Sequence, residues 1–194
     1  GERLSLRDTL YGLMLASGND AAVAIAGECG GMTAFVGKMN AKAAELGLMD
    51  THFDNPNGLP SDTHYTTAHE LAKITAAALK DPVFRQIVST KSCTVSGHAL
   101  SNHNRLLSMY DGAIGVKTGF TRAAGRCLVS AAERNGRTII AVTLNDPNDW
   151  NDHMEMLDAG FAQYSEVTLH KAGDTIANVR VFGGDTASVP LAAK

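Results

Sequence analysis

Two short stretches carry the side chains most suited to chemistry. Lys117-Thr118-Gly119 lies between the apolar lead-in Ile114-Gly115-Val116 and Phe120-Thr121. A substrate ending in a free carboxylate needs a fixed cation and a hydroxyl at the edge of a strand, and Lys117 and Thr118 can supply both. Gly119, lacking a Cβ, lets a peptide-like molecule lie close against that strand. The backbone N–H of Phe120 is then placed to donate to an oxyanion. Ser17-Gly18-Asn19 offers a hydroxyl that can relay a proton and an amide that can hold an ammonium and a carbonyl together. Each tripeptide is weak alone, because Ser-Gly-Asn is ordinary loop and cap composition and a strand lysine commonly faces solvent.

Competing chemistries fit less well. The segment from Gly112 to Thr118 has the flavour of a phosphate-binding loop, but Val116 stands where that loop needs glycine immediately before the lysine. Seven histidines and several aspartates raise the question of zinc. No Glu-x-x-His or His-x-x-x-His pair sits on a helix beside a third ligand, so no metal site is expected. His52 is expected to pack within the Pro-Gly turn region and His153 to fix a loop-to-helix junction. No lysine follows any serine at the third position, so no Ser-x-x-Lys nucleophile motif is present in the 194 residues.

The elements that must position these residues fall into three stretches. Residues 3–80 read as helical. Ser5 with Asp8 opens a helix that delivers the chain to Ser17, and a second runs through Ala21–Ala26 to Gly30-Gly31. Thr33 is expected to cap a third, ended by Gly47; Thr67 with Glu70 forms a capping box, and Asp81-Pro82 closes that helix. After residue 88 the period changes. Lys91–Val95, Gly115–Thr121, Cys127–Ala132 and Thr138–Leu144 read as strands, with Asn135-Gly136 a two-residue hairpin turn. Asp149–Tyr164 returns to helix. Helices, an antiparallel meander and a covering helix make an α+β fold. Residues 165–194 read as short strands, Val167–Leu169, Thr175–Val181 and Ser188–Leu191, resembling the opening of a small all-β domain.

Composition sets broad bounds. The chain is 44% hydrophobic and 19% charged with net charge -3, which implies a globular protein without an electrostatic nucleic-acid surface. No apolar run approaches the roughly 20 residues of a membrane span. The opening Gly1-Glu2-Arg3 reads as that of a processed or excised piece. Cys29, Cys93 and Cys127 are odd in number without Cys-x-x-Cys spacing and are expected as three small buried thiols.

Taken jointly and in order, the motifs resemble those of the D-alanyl-D-alanine carboxypeptidases, the low-molecular-mass penicillin-binding proteins among the penicillin-recognising serine acyl-transferases. The resemblance rests on Ser17-Gly18-Asn19, Thr51-His52-Phe53-Asp54-Asn55-Pro56-Asn57-Gly58-Leu59, Asn104-Arg105-Leu106-Leu107, and Lys117-Thr118-Gly119-Phe120-Thr121 with Ala124-Gly125. It runs from Gly1 to about Tyr164 and continues through Lys171-Ala172-Gly173-Asp174 and Gly183-Gly184. It implies a β-lactamase/transpeptidase-like domain over residues 1–164, N-terminally truncated before its Ser-x-x-Lys region. The start of a C-terminal β-domain would follow over 165–194.

The resemblance also implies roles. Ser17 is the proton-relay hydroxyl and Asn19 orders the substrate amide and the lysine of the missing motif. Lys117 and Thr118 bind the terminal carboxylate, Gly119 is the strand-edge position, Phe120 N–H is half of an oxyanion hole, and Arg105 lies near the carboxylate pocket. The implied substrate is a peptidoglycan stem peptide ending in D-Ala-D-Ala, with β-lactams as acylating inhibitors and no cofactor. The implied location is extracytoplasmic, with a C-terminal membrane tether in many members. Where some relatives place an arginine before the last helix, this chain has Asp146-Pro147-Asn148-Asp149-Trp150-Asn151-Asp152-His153. A class A β-lactamase and a non-catalytic peptidoglycan-binding domain remain the alternatives.

Overall fold

The computed structural model describes residues 2–164 and 167–194, in two compact units, Gly1–Gln163 and Tyr164–Lys194. The expected boundary at residue 165 falls outside the described residues.

The first unit opens with α1 (Leu6–Ala16), α2 (Asn19–Glu28) and α3 (Met32–Glu45). The Ser5 hydroxyl caps α1 by accepting from Asp8 N at 3.0 Å. Thr33 does not cap α3: the cap is Gly31, at φ 92°, and Thr33 lies inside the first turn. Next come α4 (Ala68–Ala78) and α5 (Pro82–Ser89). Thr67 caps α4 by accepting from Glu70 N at 3.2 Å. The Glu70 carboxylate does not return to the cap, as a capping box requires. It accepts from Met49 N at 2.9 Å and from the Thr51 hydroxyl at 2.5 Å, pinning the preceding loop. Those bonds, Thr51 foremost, hold its pKa below the ordinary carboxylate value. Asp81 begins a helix, a role sequence reading missed: its carboxylate accepts from Val83 N and Phe84 N, and Pro82 occupies the first turn of α5.

A small hairpin, β1 (Ser92–Val95) with β2 (His98–Ser101), and the short α6 (Leu106–Met109) precede the main sheet. That sheet is an antiparallel meander of β3 (Ala113–Thr121), β4 (Gly125–Arg134) and β5 (Arg137–Thr143), in the order β3-β4-β5. The expected Asn135-Gly136 turn is there, both residues at positive φ (52° and 78°), as a type I′ hairpin requires. The last helix, α7 (Asp149–Gln163), completes the unit.

Alternation along β4 divides the core. Leu128 and Ala132 face α6 and α7 and pack with Leu106, Tyr110, Ala141 and Leu157. Ala131 faces the opposite way and joins Val116 and Val88, with Met14, Leu79 and Phe84 of the helical half against them. The sheet is thus covered by helices on both faces, the expected α+β arrangement. His153 does more than fix a junction. Fully buried, it clamps α7 to two strands through Ser130 Oγ at 2.6 Å and Thr143 Oγ1 at 3.0 Å.

In the second unit, β6 (Thr175–Arg180) pairs antiparallel with β7 (Ser188–Ala192). Val167–Leu169, expected as a strand, is irregular. Among the described residues no helix is long and apolar enough to cross a membrane.

Candidate active site

The Ser17 tripeptide is the hinge between two helices. Helix α1 ends with Ser17 in the left-handed region (φ 57°, ψ 40°), and Gly18 N–H donates back to Gly12 O at 3.2 Å. A non-glycine residue held there costs about 1–2 kcal/mol, and such strain collects at functional sites. Gly18 cannot be replaced cheaply: a Cβ would stand 2.9 Å from Asp20 Oδ1 and 3.2 Å from Ala21 Cβ. Asn19 is the first residue of α2; it is exposed, and its side chain makes no hydrogen bond among the described residues.

The Lys117 tripeptide lies on β3, which pairs with β4 on one side only among the described residues. Its other edge leaves backbone donors and acceptors for an extended ligand. The Lys117 ammonium crosses to the helical hinge, donating to Ser17 Oγ and to Thr118 O at 2.6 Å. Burial pushes its pKa down to about 8. An ammonium has three N–H donors, so one remains for a substrate.

A Cβ built on Gly119 would meet Cys127 Cβ at 3.7 Å, an ordinary contact. The fold therefore does not demand glycine here, and its openness faces the groove. That groove, of about 330 Å³, is lined by Ser17, Thr118, Gly119 and Phe120 together with His103, Arg126, Cys127, Asp149 and Trp150. Four of the sequence-predicted residues thus share one cleft, with Lys117 joined to Ser17 beside them. Arg105 is not in its lining; it borders a separate cavity and stands 6.0 Å from the Trp150 ring.

Sequence reading missed the other end of the groove. Register places Arg126 opposite Phe120, so the two side chains share a face of the sheet. Gly125 (φ 68°) allows the close approach of the next loop, since a Cβ there would lie 2.0 Å from Asn145 Oδ1. Asp146 N–H then donates to Arg126 O at 2.9 Å, which brings the start of α7 alongside. The buried Asp149 carboxylate accepts from Arg126 Nη2 at 2.7 Å and from Nε at 3.1 Å. That pairing holds the guanidinium firmly protonated. Trp150 lies beneath it, 5.5 Å from Cζ to the ring centre. The usable signal was the hairpin: pairing Thr121 with Gly125 puts Arg126 beside the motif strand. Cys127, expected in the core, is partly exposed, as are Cys29 and Cys93, and all three are free thiols. Among the described residues no three His, Cys, Asp or Glu side chains converge as metal ligands would.

The sequence profile described as D-alanyl-D-alanine carboxypeptidase matches residues 1–148. The chain belongs to the D-alanyl-D-alanine carboxypeptidase family. It is 40% identical over 182 residues to the D-alanyl-D-alanine carboxypeptidase of Streptomyces sp. strain K15, covering 84% of this chain and 62% of that protein. It is 38% identical over 200 residues to DacF of Bacillus subtilis, covering 98% of this chain and 51% of that one. The chain therefore spans about half to three-fifths of these carboxypeptidases. Among solved structures it is similar to the Streptomyces K15 DD-transpeptidase (TM-score 0.76, 41% identity, 80% of this chain and 67% of that chain). It is likewise similar to the Mycobacterium tuberculosis D-alanyl-D-alanine carboxypeptidase (TM-score 0.78, 38% identity, 85% and 67%). The fold is that of the penicillin-binding transpeptidase-like proteins. The profile match covers the Ser17, Thr51, Asn104 and Lys117 motifs and ends at residue 148, immediately before Asp149 and Trp150.

Proposed function

We propose that this chain forms the proton-relay and carboxylate-binding side of a serine-type D-Ala-D-Ala carboxypeptidase. On this reading residues 1–164 belong to the transpeptidase-like catalytic domain and 165–194 open a small β-domain. The enzyme removes the terminal D-alanine from peptidoglycan stem peptides and is acylated by β-lactams at the same serine, outside the cytoplasm. One observation carries the proposal: Lys117 reaches Ser17 across one hundred residues of chain, at the head of an open strand edge.

The chemistry assigns each group a task. The Oγ of a serine in a Ser-x-x-Lys motif, which these 194 residues lack, attacks the carbonyl carbon of the penultimate D-alanine as its proton passes to the lysine of that motif. The oxyanion that forms accepts from Phe120 N–H and from the serine's own N–H. The carbon–nitrogen bond breaks, and the departing amine takes a proton relayed through the Ser17 hydroxyl. Asn19 holds the substrate amide and the motif's lysine. The substrate lies along β3 past Gly119, its carboxylate toward Thr118, with Lys117 and Arg105 supplying positive charge. Water then cleaves the acyl ester and restores the serine.

Labelling with a fluorescent penicillin tests the proposal. The 194-residue chain alone should remain unlabelled. Adding a polypeptide that carries the family's Ser-x-x-Lys helix should restore covalent labelling, and Lys117→Ala should slow it steeply. Labelling of the chain by itself, or reconstituted labelling indifferent to Lys117, would overturn the reading. Peptidoglycan binding with no labelling in any combination would favour a non-catalytic wall-binding domain.

A further inference from the structure

Two cations stand at this cleft on opposite faces of one sheet, Arg126 in the groove lining and Lys117 beside it at Ser17, and they are not equivalent. Along β3, Lys117 and Gly119 point to one face while Thr118 and Phe120 point to the other. Thr118 pairs with Leu128, which packs under α7, so the Thr118 face is the α7 face. Arg126 pairs with Phe120 and stands diagonally across from Thr118, within reach of a long side chain. Lys117, by contrast, turns toward α1, where Ser17 Oγ and Thr118 O already take two of its three donors.

From this geometry we infer that Arg126, working with the Thr118 hydroxyl, is the cation that recognises the free C-terminal carboxylate of the peptide substrate. It rests on the carboxypeptidase reading and reassigns one role within it. The Lys117 ammonium then serves Ser17 and the proton relay.

Three features fit Arg126 to the task. Its side chain is 42% exposed at the groove, while its partner Asp149 is 4% exposed, so one edge of the guanidinium is anchored and the other is open. The bonds to Asp149 use Nε and Nη2, which leaves both hydrogens of Nη1 for an incoming carboxylate. Trp150, packed against the core cluster, fixes the guanidinium plane from below. A carboxylate also needs net positive charge after Asp149 has taken its share. Arg105, 6.0 Å from the same Trp150 ring but outside the groove lining, adds positive charge at longer range. The stretch Asp146–His153 holds no arginine of its own, and Arg126 reaches the start of α7 from the neighbouring strand.

The charged and titratable groups around this corner are Asp149 from α7, Asp146 from the loop before it, His103 and the Cys127 thiol on the groove wall, and, outside the lining, Arg105 from the start of α6. Arginine stays protonated throughout the accessible range. Recognition through Arg126 therefore persists at alkaline pH, whereas recognition through Lys117 fades as pH rises through about 8.

The test measures binding of an N-acylated D-alanyl-D-alanine peptide and of its C-terminal amide to the chain, by NMR shift perturbation at pH 7 and pH 9.5. Penicillin labelling of the reconstituted site is read on the same preparations. The wild-type protein should prefer the free acid about tenfold or more at both pH values. Arg126→Gln should bring the preference near unity, and Arg126→Lys should recover part of it. Because Arg126→Gln strands the Asp149 carboxylate, the double variant Arg126→Gln/Asp149→Asn repeats the measurement without a buried unpaired charge. Preference retained in both variants overturns the inference, and so does preference lost in the wild type at pH 9.5, which would return the role to Lys117. Failure of the wild type to bind either peptide also overturns it, and labelling of the reconstituted site then shows whether the carboxypeptidase reading falls with it.

Discussion

His153 and Lys117 are both bases withdrawn from water, and the difference between their two regions separates structure from chemistry. Between α7 and the sheet, His153 is fully buried with both ring nitrogens engaged by hydroxyls. Burial pushes its pKa down to about 4, so it stays neutral and nothing can approach it. At the edge of β3, Lys117 is lowered to about 8 by the same cause. It keeps a donor in reserve, touches a strained Ser17, and opens on a groove. A shifted pKa therefore identifies burial. Function needs residual hydrogen-bonding capacity and access as well.

The comparison breaks most visibly under truncation of the lysine. Lys117→Ala should lower the acylation rate of the reconstituted site by about 10²–10⁴-fold, the usual worth of a positioned proton-transfer group. Thermal unfolding should barely move, because Ser17 is exposed and water can replace the ammonium. A loss of cooperative unfolding would instead make Lys117 a structural residue like His153.

The complementary substitution has the opposite signature. His153→Leu leaves the hydroxyls of Ser130 and Thr143 without partners, each costing about 1–3 kcal/mol. Denaturant unfolding should show that loss, with penicillin labelling per folded molecule unchanged. If labelling falls in proportion at constant stability, His153 belongs to the chemistry.

Titration sharpens the contrast. The folded protein holds His153 at about 4, below the ~6.5 of an unfolded chain. The unfolded state therefore binds more protons between those values, and this contribution to stability is complete above about pH 6.5 and drains away as pH falls toward 4. His153→Gln should flatten that part of the stability profile. On the alkaline side, the Lys117 side chain should titrate near pH 8 by NMR, well below an exposed lysine at ~10.4. A midpoint at the exposed value would remove the asymmetry between the two faces of β3.

The smallest effect on the fold is expected at Gly119. Its missing Cβ has room against Cys127, so Gly119→Ala should change stability by less than about 1 kcal/mol. Peptide binding along β3 should nevertheless weaken several-fold, because the added methyl faces the ligand. Unchanged binding would mean that the substrate does not lie along this edge.

Legibility in the sequence followed the range of the forces involved. Ser5 with Asp8, Asn135-Gly136 and the apolar spacing of α7 act over a few residues and could be read directly. Helix α5 was missed because its eight residues follow α4 so closely that Asp81-Pro82 looked like an ending. Thr33 was misjudged as a cap because Gly31 can reach a positive φ that threonine avoids. Glu70 has the spacing of a capping box, yet a loop twenty residues earlier competes for its carboxylate and wins.

From residue types and order alone, the chain declared its family, its α+β class, and the two tripeptides whose side chains suit a carboxylate and a proton relay. These are local facts: hydroxyl, ammonium, amide, and a glycine between strand residues. Only the tertiary structure decided which of them meet. It joined Lys117 to Ser17 rather than leaving it to solvent, and it placed Arg105 on a separate cavity outside the groove lining. It also brought Arg126 and Asp149 to the Thr118 side of the sheet. Strand register and the crossing of α7 over β4 produced that corner, and both depend on long-range packing that no short motif encodes.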